Sequence, residues 1–217
     1  MTIPMIQLSN GVQMPQEGFG VFQIPEADCE QVVRDAIASG YRLIDTASSY
    51  QNEAAVGRAI GVCNFLPDRL LDLCVNARIR PMVDQIERHP HYQRADELAL
   101  MRTLGVQPQA WAPFAEGLHG MFDEPVLVEI ARKHGKTPAQ IILRWNVEQG
   151  VIVIPKSVHK NRMEENLAIW DFALDADDAS QITALDKNKP SMLDTRDVAE
   201  IRRVYDFLSN PVVTTLE

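Results

Sequence analysis

Gly18-Phe19-Gly20-Val21-Phe22 is the stretch on which the fold turns. It is an apolar, strand-like run with a bare Gly-x-Gly, and it lacks the third glycine of a dinucleotide-binding Gly-x-Gly-x-x-Gly turn. A helix follows it. That helix starts near Pro25, a first-turn position where proline's missing N–H is no loss, buries Val32, Val33, Ala36 and Ile37, and stops at Gly40.

The same succession recurs along the chain. A strand over 41–46 leads to a short helix over 52–60, and a strand over 61–65 passes through Pro67 into a helix with Leu70, Leu71 and Cys74 on its apolar face. Next come a strand over 82–87 and a helix, Ala95–Leu104, closed by Gly105. A strand over 109–113 precedes helices over 124–134 and 137–149, the second with Thr137 as cap and Pro138 at its first position. Residues 151–154 read as the last strand, followed by helices over 161–169 and 175–186 and an amphipathic stretch over 198–208. Ahead of all this, the apolar alternation over 6–14 around Asn10-Gly11 predicts a hairpin with a two-residue turn.

Strands that alternate with helices pair in parallel, because a parallel pair needs a crossover and a helix is the usual one. The architectures open to such a chain are a doubly wound sheet and a (β/α) barrel. Without the glycine fingerprint, the sequence favours an α/β barrel of the TIM type forming one domain over residues 1–217, with the hairpin at its start. One join is unusual: at Ile60-Gly61 helix passes into strand with no loop between them.

Composition removes several classes of function. Thirty acidic against 21 basic residues give a net charge of −9, which offers no field for a phosphate backbone, so nucleic acid is excluded as a partner. No leader-like segment opens the chain and no run of about eighteen apolar residues occurs. Neither a membrane span nor an export signal is expected, and the expected location is the cytoplasm. Cys29, Cys63 and Cys74, odd in number and without a CxxC spacing, read as reduced thiols. His89 and His91 form a His-x-His pair, but no third ligand is spaced to join them, and no metal is expected.

In a (β/α) barrel the active site lies at the C-terminal ends of the strands. Asp45, Asn64, Gln85, Glu87, Trp111 and Lys156 all fall in or at the end of predicted strands. Read singly, each is equally a capping or satisfied polar residue; their recurrence at one end of five strands points to a site. Asp45-Thr46-Ala47-Ser48-Ser49-Tyr50-Gln51-Asn52-Glu53 resembles the Asp-Thr-Ala-x-x-Tyr-x-Asn-Glu signature of the aldo/keto reductases. Gly61-Val62-Cys63-Asn64-Phe65 is similar to that family's Gly-Val-Ser-Asn-Phe, and Gln85-Ile86-Glu87-Arg88-His89-Pro90 to its Gln-Ile-Glu-x-His-Pro. Ile154-Pro155-Lys156-Ser157, with Arg162, Glu165 and Asn166, resembles its NADP-binding segment, and the match is nearest the 2,5-diketo-gluconate reductase branch.

The resemblance implies an NADPH-dependent oxidoreductase acting on small aldehydes, ketones or keto sugars. It implies Tyr50 as general acid, supported by Asp45; Asn64 and Gln85 holding the nicotinamide amide; and Trp111 stacking on its ring. Lys156 and Arg162 would meet the adenosine 2′-phosphate, with Ser157, Glu165 and Asn166 in the same segment. The family also places a catalytic lysine at the end of its third strand and a catalytic histidine at the end of its fourth, yet no lysine of this chain precedes Lys133. The expectation is therefore an internal deletion after Ile60, an incomplete barrel of about six of eight βα units, and a Tyr50 without the cation that would lower its pKa. Two readings stay open: an active reductase, and a non-catalytic remnant that binds NADPH or a partner. Oligomeric state is open as well.

Overall fold

The computed structural model describes residues 3–22, 24, 26–45, 61–76 and 80–209. The hairpin is present: β1 (Met5–Gln7) and β2 (Gln13–Pro15) pair antiparallel, with Ile6 opposite Met14. Its turn is longer than the expected two residues. Leu8 N donates to Val12 O at 2.8 Å, which leaves Ser9, Asn10 and Gly11 as a three-residue loop. Only Gly11 takes a positive φ, at 84°, whereas a two-residue turn of the Asn-Gly kind needs it at both positions.

Six strands follow among the described residues: β3 (Phe19–Gly20), β4 (Ile44–Asp45), β5 (Gly61–Cys63), β6 (Val83–Glu87), β7 (Gln107–Trp111) and β8 (Ile152–Val153). Parallel ladders join β5 to β6, β6 to β7 and β7 to β8, and β3 pairs parallel with β4. Gly18 N donates to Val153 O at 2.7 Å and Gly20 N to Pro155 O at 3.2 Å, so β8 and β3 are also neighbours. The order is then β5-β6-β7-β8-β3-β4. No ladder joins β4 to β5 among the described residues. The Gly-x-Gly of the opening stretch serves this sheet rather than a phosphate: a Cβ on Gly18 would meet Leu43 Cγ at 2.7 Å, and one on Gly20 would meet Ile154 O at 3.0 Å.

The helices are α1 (Glu26–Ser39), α2 (Pro67–Asn76), α3 (Ala95–Leu104), α4 (Pro125–His134), α5 (Pro138–Glu148), α6 (Lys160–Leu167), α7 (Ala176–Thr183) and α8 (Val198–Ser209). Their ends follow the predicted signals. Thr137 Oγ1 accepts from Gln140 N while Gln140 Oε1 accepts from Thr137 N, a capping box, and Gly105 and Gly135 close α3 and α4 in left-handed conformations. The helix expected over 52–60 lies outside the described residues.

Alternation along the strands separates two layers. Ile86 and Ala110 join Leu70, Cys74, Leu98, Met101, Leu143 and Val147 in a core between β6, β7 and the helices α2, α3 and α5. Phe19, Val21, Val32, Ala36, Met163 and Leu167 pack β3 against α1 and α6. Each of the larger side chains among them, the leucines, valines, methionines, Ile86 and Phe19, contributes about 1.5–3 kcal/mol on burial. The intervening residues, Gln85, Gln109 and Trp111, turn to the other face of the sheet and carry the polar groups.

Candidate functional site

Asp45, at the end of β4, and Gln85, on β6, meet directly: Gln85 Nε2 donates to Asp45 Oδ1 at 2.7 Å and to Gln109 Oε1 at 2.8 Å. A carboxylate only accepts, which fixes the orientation of the Gln85 amide. Both Nε2 hydrogens are used, and Oε1 accepts from Cys63 Sγ at 3.9 Å, which leaves it a lone pair. Burial raises the Asp45 carboxyl above its ordinary value and the Gln85 bond offsets part of this. Partial desolvation by the surrounding protein, then the charges of Asp84 and Asp45, push the Cys63 thiol up to about 12, although the residue surface is exposed; it is held as a neutral thiol.

Asn64 follows β5 in the left-handed conformation, φ 56°, and its backbone N–H donates to Gln85 O at 2.8 Å. Its Oδ1 accepts from Trp111 Nε1 at 2.8 Å. Indole nitrogen only donates, so this amide is oriented too, and Asn64 Nδ2 is left to donate elsewhere. Asp45, Asn64, Gln85 and Trp111 are thus brought together at one end of the strands. Tyr50 lies outside the described residues.

The second predicted group sits after β8 and on α6. Lys156 is half-buried, and burial lowers its ammonium pKa, with Glu116 raising it in part. Ser157 is buried and its Oγ accepts from His159 N at 3.1 Å, which shapes the entry to α6. Arg162 is exposed and Asn166 is buried. Glu165 Oε1 accepts from Thr137 Oγ1 at 2.7 Å, so this carboxylate also braces the start of α5.

Three features escape sequence reading. Gln109, buried, completes the Asp45–Gln85 chain. The loop after β7 holds Ala112, Ala115, Glu116 and His119, besides Gly117 and Gly120, at positive φ; a non-glycine residue there carries strain of about 1–2 kcal/mol, of the kind found at functional sites. Most extensive is the cradle around Glu87. Its Oε1 accepts from Ser191 N at 2.8 Å, Ser191 Oγ at 3.0 Å, Met192 N at 3.0 Å and His89 Nε2 at 3.1 Å, and its Oε2 from Leu193 N at 3.2 Å. Burial would raise this carboxyl, but His89 and the backbone amides outweigh it and hold it below the ordinary carboxylate value.

Ser191, His89 and Glu87 do not form a nucleophile relay. One ring nitrogen, His89 Nε2, faces both Ser191 Oγ and Glu87, whereas a relay needs the two nitrogens to face different partners. The other member of the His-x-His pair, His91, is taken up by Glu124 and Lys187. Among the described residues no three His, Cys, Asp or Glu side chains are placed to share a metal ion.

The Glu87 cradle fastens the segment Ser191–Leu193 over the end of β6. Hydrogen bonds to a charged group contribute about 1.5–3 kcal/mol each to a locally closed state. Glu87→Gln is therefore expected to raise amide exchange across 187–209 by ten- to a hundredfold. Because the folded pKa is depressed, the wild-type latch is intact above the ordinary glutamate pKa and is lost as pH falls through the depressed value. Exchange that is unchanged in the variant and flat with pH would contradict this.

Comparison with known proteins bears on this arrangement. The sequence model of the aldo/keto reductase family matches residues 58–187. Methylglyoxal reductase DkgA of Salmonella typhimurium is 32% identical over 259 aligned positions, which take in 85% of this chain and 94% of that protein. The crystal structure of MGS-M4, an aldo-keto reductase enzyme from a deep-sea metagenome library, superposes with a TM-score of 0.83 at 25% identity, covering 89% of this chain and 99% of that one. A Bombyx mori aldo-keto reductase solved in complex with NADP shares the fold, with a TM-score of 0.81 at 24% identity, over 92% of this chain and 98% of its own. The ordered strand-end cluster, the parallel sheet and these likenesses agree: the chain belongs to the aldo/keto reductase family.

Proposed function

We propose that the chain is an NADPH-dependent oxidoreductase reducing small aldehydes, ketones or keto sugars. The observation that carries this reading is the pair of oriented amides. Among the described residues Asn64 Nδ2 has no acceptor, and Gln85 Oε1, which takes only a long bond from Cys63 Sγ, keeps a lone pair to accept another, beside the ring of Trp111. A primary carboxamide presents one acceptor and one donor group, which is the complement of that pair. Lys156 and Arg162 would hold the phosphate of the adenosine end, where arginine's planar fork suits the anion, with Ser157, Glu165 and Asn166 shaping that segment. When bound, NADPH supplies the hydride. The solved relative from Bombyx mori with NADP supports the choice of cofactor.

In this reading Tyr50 donates the proton to the carbonyl oxygen, and Asp45, tied to Gln85, keeps the strand end in place. A positioned general acid contributes about 10²–10⁴ in rate. The second reading, a binding remnant without turnover, is favoured by one specific feature. With 85% of a 217-residue chain spread over 259 aligned positions, about 75 positions of the Salmonella relative face no residue here. An internal deletion after Ile60 accounts for that gap and for the lack of any lysine before Lys133, and Tyr50 is then left without its cation.

The test is NADPH consumption by the purified chain over a panel of aldehydes and diketones, with Tyr50→Phe alongside and NADPH binding followed separately by thermal shift. Turnover that falls at least about a hundredfold in Tyr50→Phe supports the reductase. A thermal shift without turnover selects the remnant, and neither signal removes both readings.

A further inference from the structure

The chain has six lysines. Lys133, Lys136 and Lys160 each reach a carboxylate, at 2.6 Å from Asp175, 2.7 Å from Asp171 and 4.0 Å from Glu164. Against thirty acidic residues, the other three form no ion pair among the described residues. One is Lys156, in the proposed cofactor segment. The remaining two, Lys187 and Lys189, line the same open-sided cavity of about 330 Å³, together with His91, His119, Pro190 and Ser191.

We infer that this cavity is a second anion site, separate from the proposed cofactor segment, that takes the phosphate group of a small organic phosphate. No carboxylate is among its lining residues. The acids bonded to its walls are already engaged: Glu124 Oε2 accepts from the lining His91 Nε2 at 3.3 Å, Glu87 Oε1 accepts from the lining Ser191 N at 2.8 Å and Oγ at 3.0 Å, and Asp186 Oδ1 accepts from the backbone N–H groups of Gln93 and Asn188. Lys187 Nζ spends one N–H on His91 Nδ1 at 3.3 Å, which leaves two for a ligand. Lys189 and His119 make no hydrogen bond among the described residues, so their donors are free.

The wall that carries the lysines is preformed. Lys187 N donates to His91 O at 2.9 Å and Ser191 N is fixed on Glu87, so the three residues between these anchors hold a set path, with Asn188 left-handed at φ 47° between the two lysines. A single exposed lysine holds an anion weakly, but two ammonium groups on one ligand act together. A phosphate monoester carries about −1.5 to −2 charges near neutral pH, which two point-like ammonium groups match. The cavity has room for about ten waters at the roughly 30 Å³ each takes up in the liquid, more than an inorganic anion fills. The extra space, flanked by Pro190, suits the body of a small organic phosphate.

The experiment is calorimetric titration of the full chain at low ionic strength with inorganic phosphate and with glycerol 3-phosphate. Two double variants run beside it: Lys187→Ala with Lys189→Ala, and Lys156→Ala with Arg162→Ala. The altered lysines of the cavity are exposed, and circular dichroism checks that both variants fold. The expected result is a saturable binding event, tighter for glycerol 3-phosphate, that survives in the Lys156/Arg162 variant and weakens about tenfold or more in the Lys187/Lys189 variant. Loss that is confined to the Lys156/Arg162 variant or equal in both, or no saturable binding, overturns the second site. Equal affinity for the two ligands overturns the organic phosphate as its occupant.

Discussion

The combined substitution Asp84→Asn and Glu17→Gln is expected to flatten a stability profile that otherwise falls between about pH 4 and pH 8. Both carboxyls are fully buried. No group reaches either Asp84 oxygen in good hydrogen-bond geometry, the Phe65 amide included; Glu17 has a long contact, 3.4 Å from Tyr41 Oη, on one of its two oxygens, and the Trp170 indole N–H is not aligned to bond the other. Burial pushes Asp84 up to about 7, with the Phe65 amide and the Arg94 charge offsetting only part, and pushes Glu17 up to about 8, with Trp170 and Tyr41 offsetting part. The sign follows from proton counting. Between the ordinary carboxylate value and these raised values the folded state holds protons that the unfolded state has released, so rising pH favours unfolding. Each pH unit across that window removes about 1.4 kcal/mol per group, to a ceiling of roughly 4 kcal/mol each before solvent penetration reduces it.

The amides cannot ionise, so the double variant should lose most of that slope. It should also be more stable than wild type at pH 8, by about 1–3 kcal/mol once the desolvation of the new amides is subtracted. Urea unfolding at intervals from pH 4.5 to 8.5 measures it. The depressed carboxyls of Glu87 and Asp178 act below that window, with the opposite sign, and do not confuse it. Parallel profiles for the two proteins would mean that water or a cation reaches these groups.

Arg88→Ala is expected to remove about 3–5 kcal/mol of stability, enough to unfold many domains of this size. Arg88 is fully buried, and no carboxylate is among its hydrogen-bond partners. Its guanidinium donates to Gln93 O at 3.0 Å, to Asn146 Oδ1 and to Gln149 Oε1 at 2.8 Å, and lies 3.8 Å from the centre of the Trp145 ring. Truncation opens a cavity and strands three acceptors at once, each costing about 1–3 kcal/mol if left unsatisfied. Arg88→Lys keeps the charge but not the fork, and should fall between, near 2 kcal/mol. A loss under 1 kcal/mol for the alanine variant, read from urea unfolding, would show that the neighbours repack around the gap.

Arg88 also illustrates how unevenly the sequence could be read. It occupies the unconstrained position of the stretch Gln85-Ile86-Glu87-Arg88-His89-Pro90, where resemblance assigns it nothing, yet it joins the end of β6 to α5 through partners about sixty residues on. The order of elements was legible because helical periodicity and capping residues are local, and α3 was read to the residue at both ends. Strands were read too long, since residues flanking a two- or three-residue ladder are as apolar as those within it. Asp45, Asn64, Gln85 and Trp111 were legible from their places in or at the end of predicted strands, with roles implied by the family resemblance, and the structure gathers them. Most of the cradle of Glu87 could not be foreseen, because three of its five donors are backbone amides more than a hundred residues away, which carry no residue type. The same holds for the left-handed loop after β7, where alanine and glutamate stand in conformations that their identities argue against.

The bond between Asp45 and Gln85 changes how mutagenesis of this chain is to be interpreted. It spans strands that no ladder connects among the described residues, so Asp45 is at once a candidate for chemistry and a tie across an open seam. Asp45→Ala removes both roles together, and a dead variant would say nothing about which mattered. Asp45→Asn retains an oxygen that accepts from Gln85 Nε2 while discarding the charge. The informative comparison is thus between these two substitutions rather than between either and wild type: shape is what alanine loses and asparagine keeps.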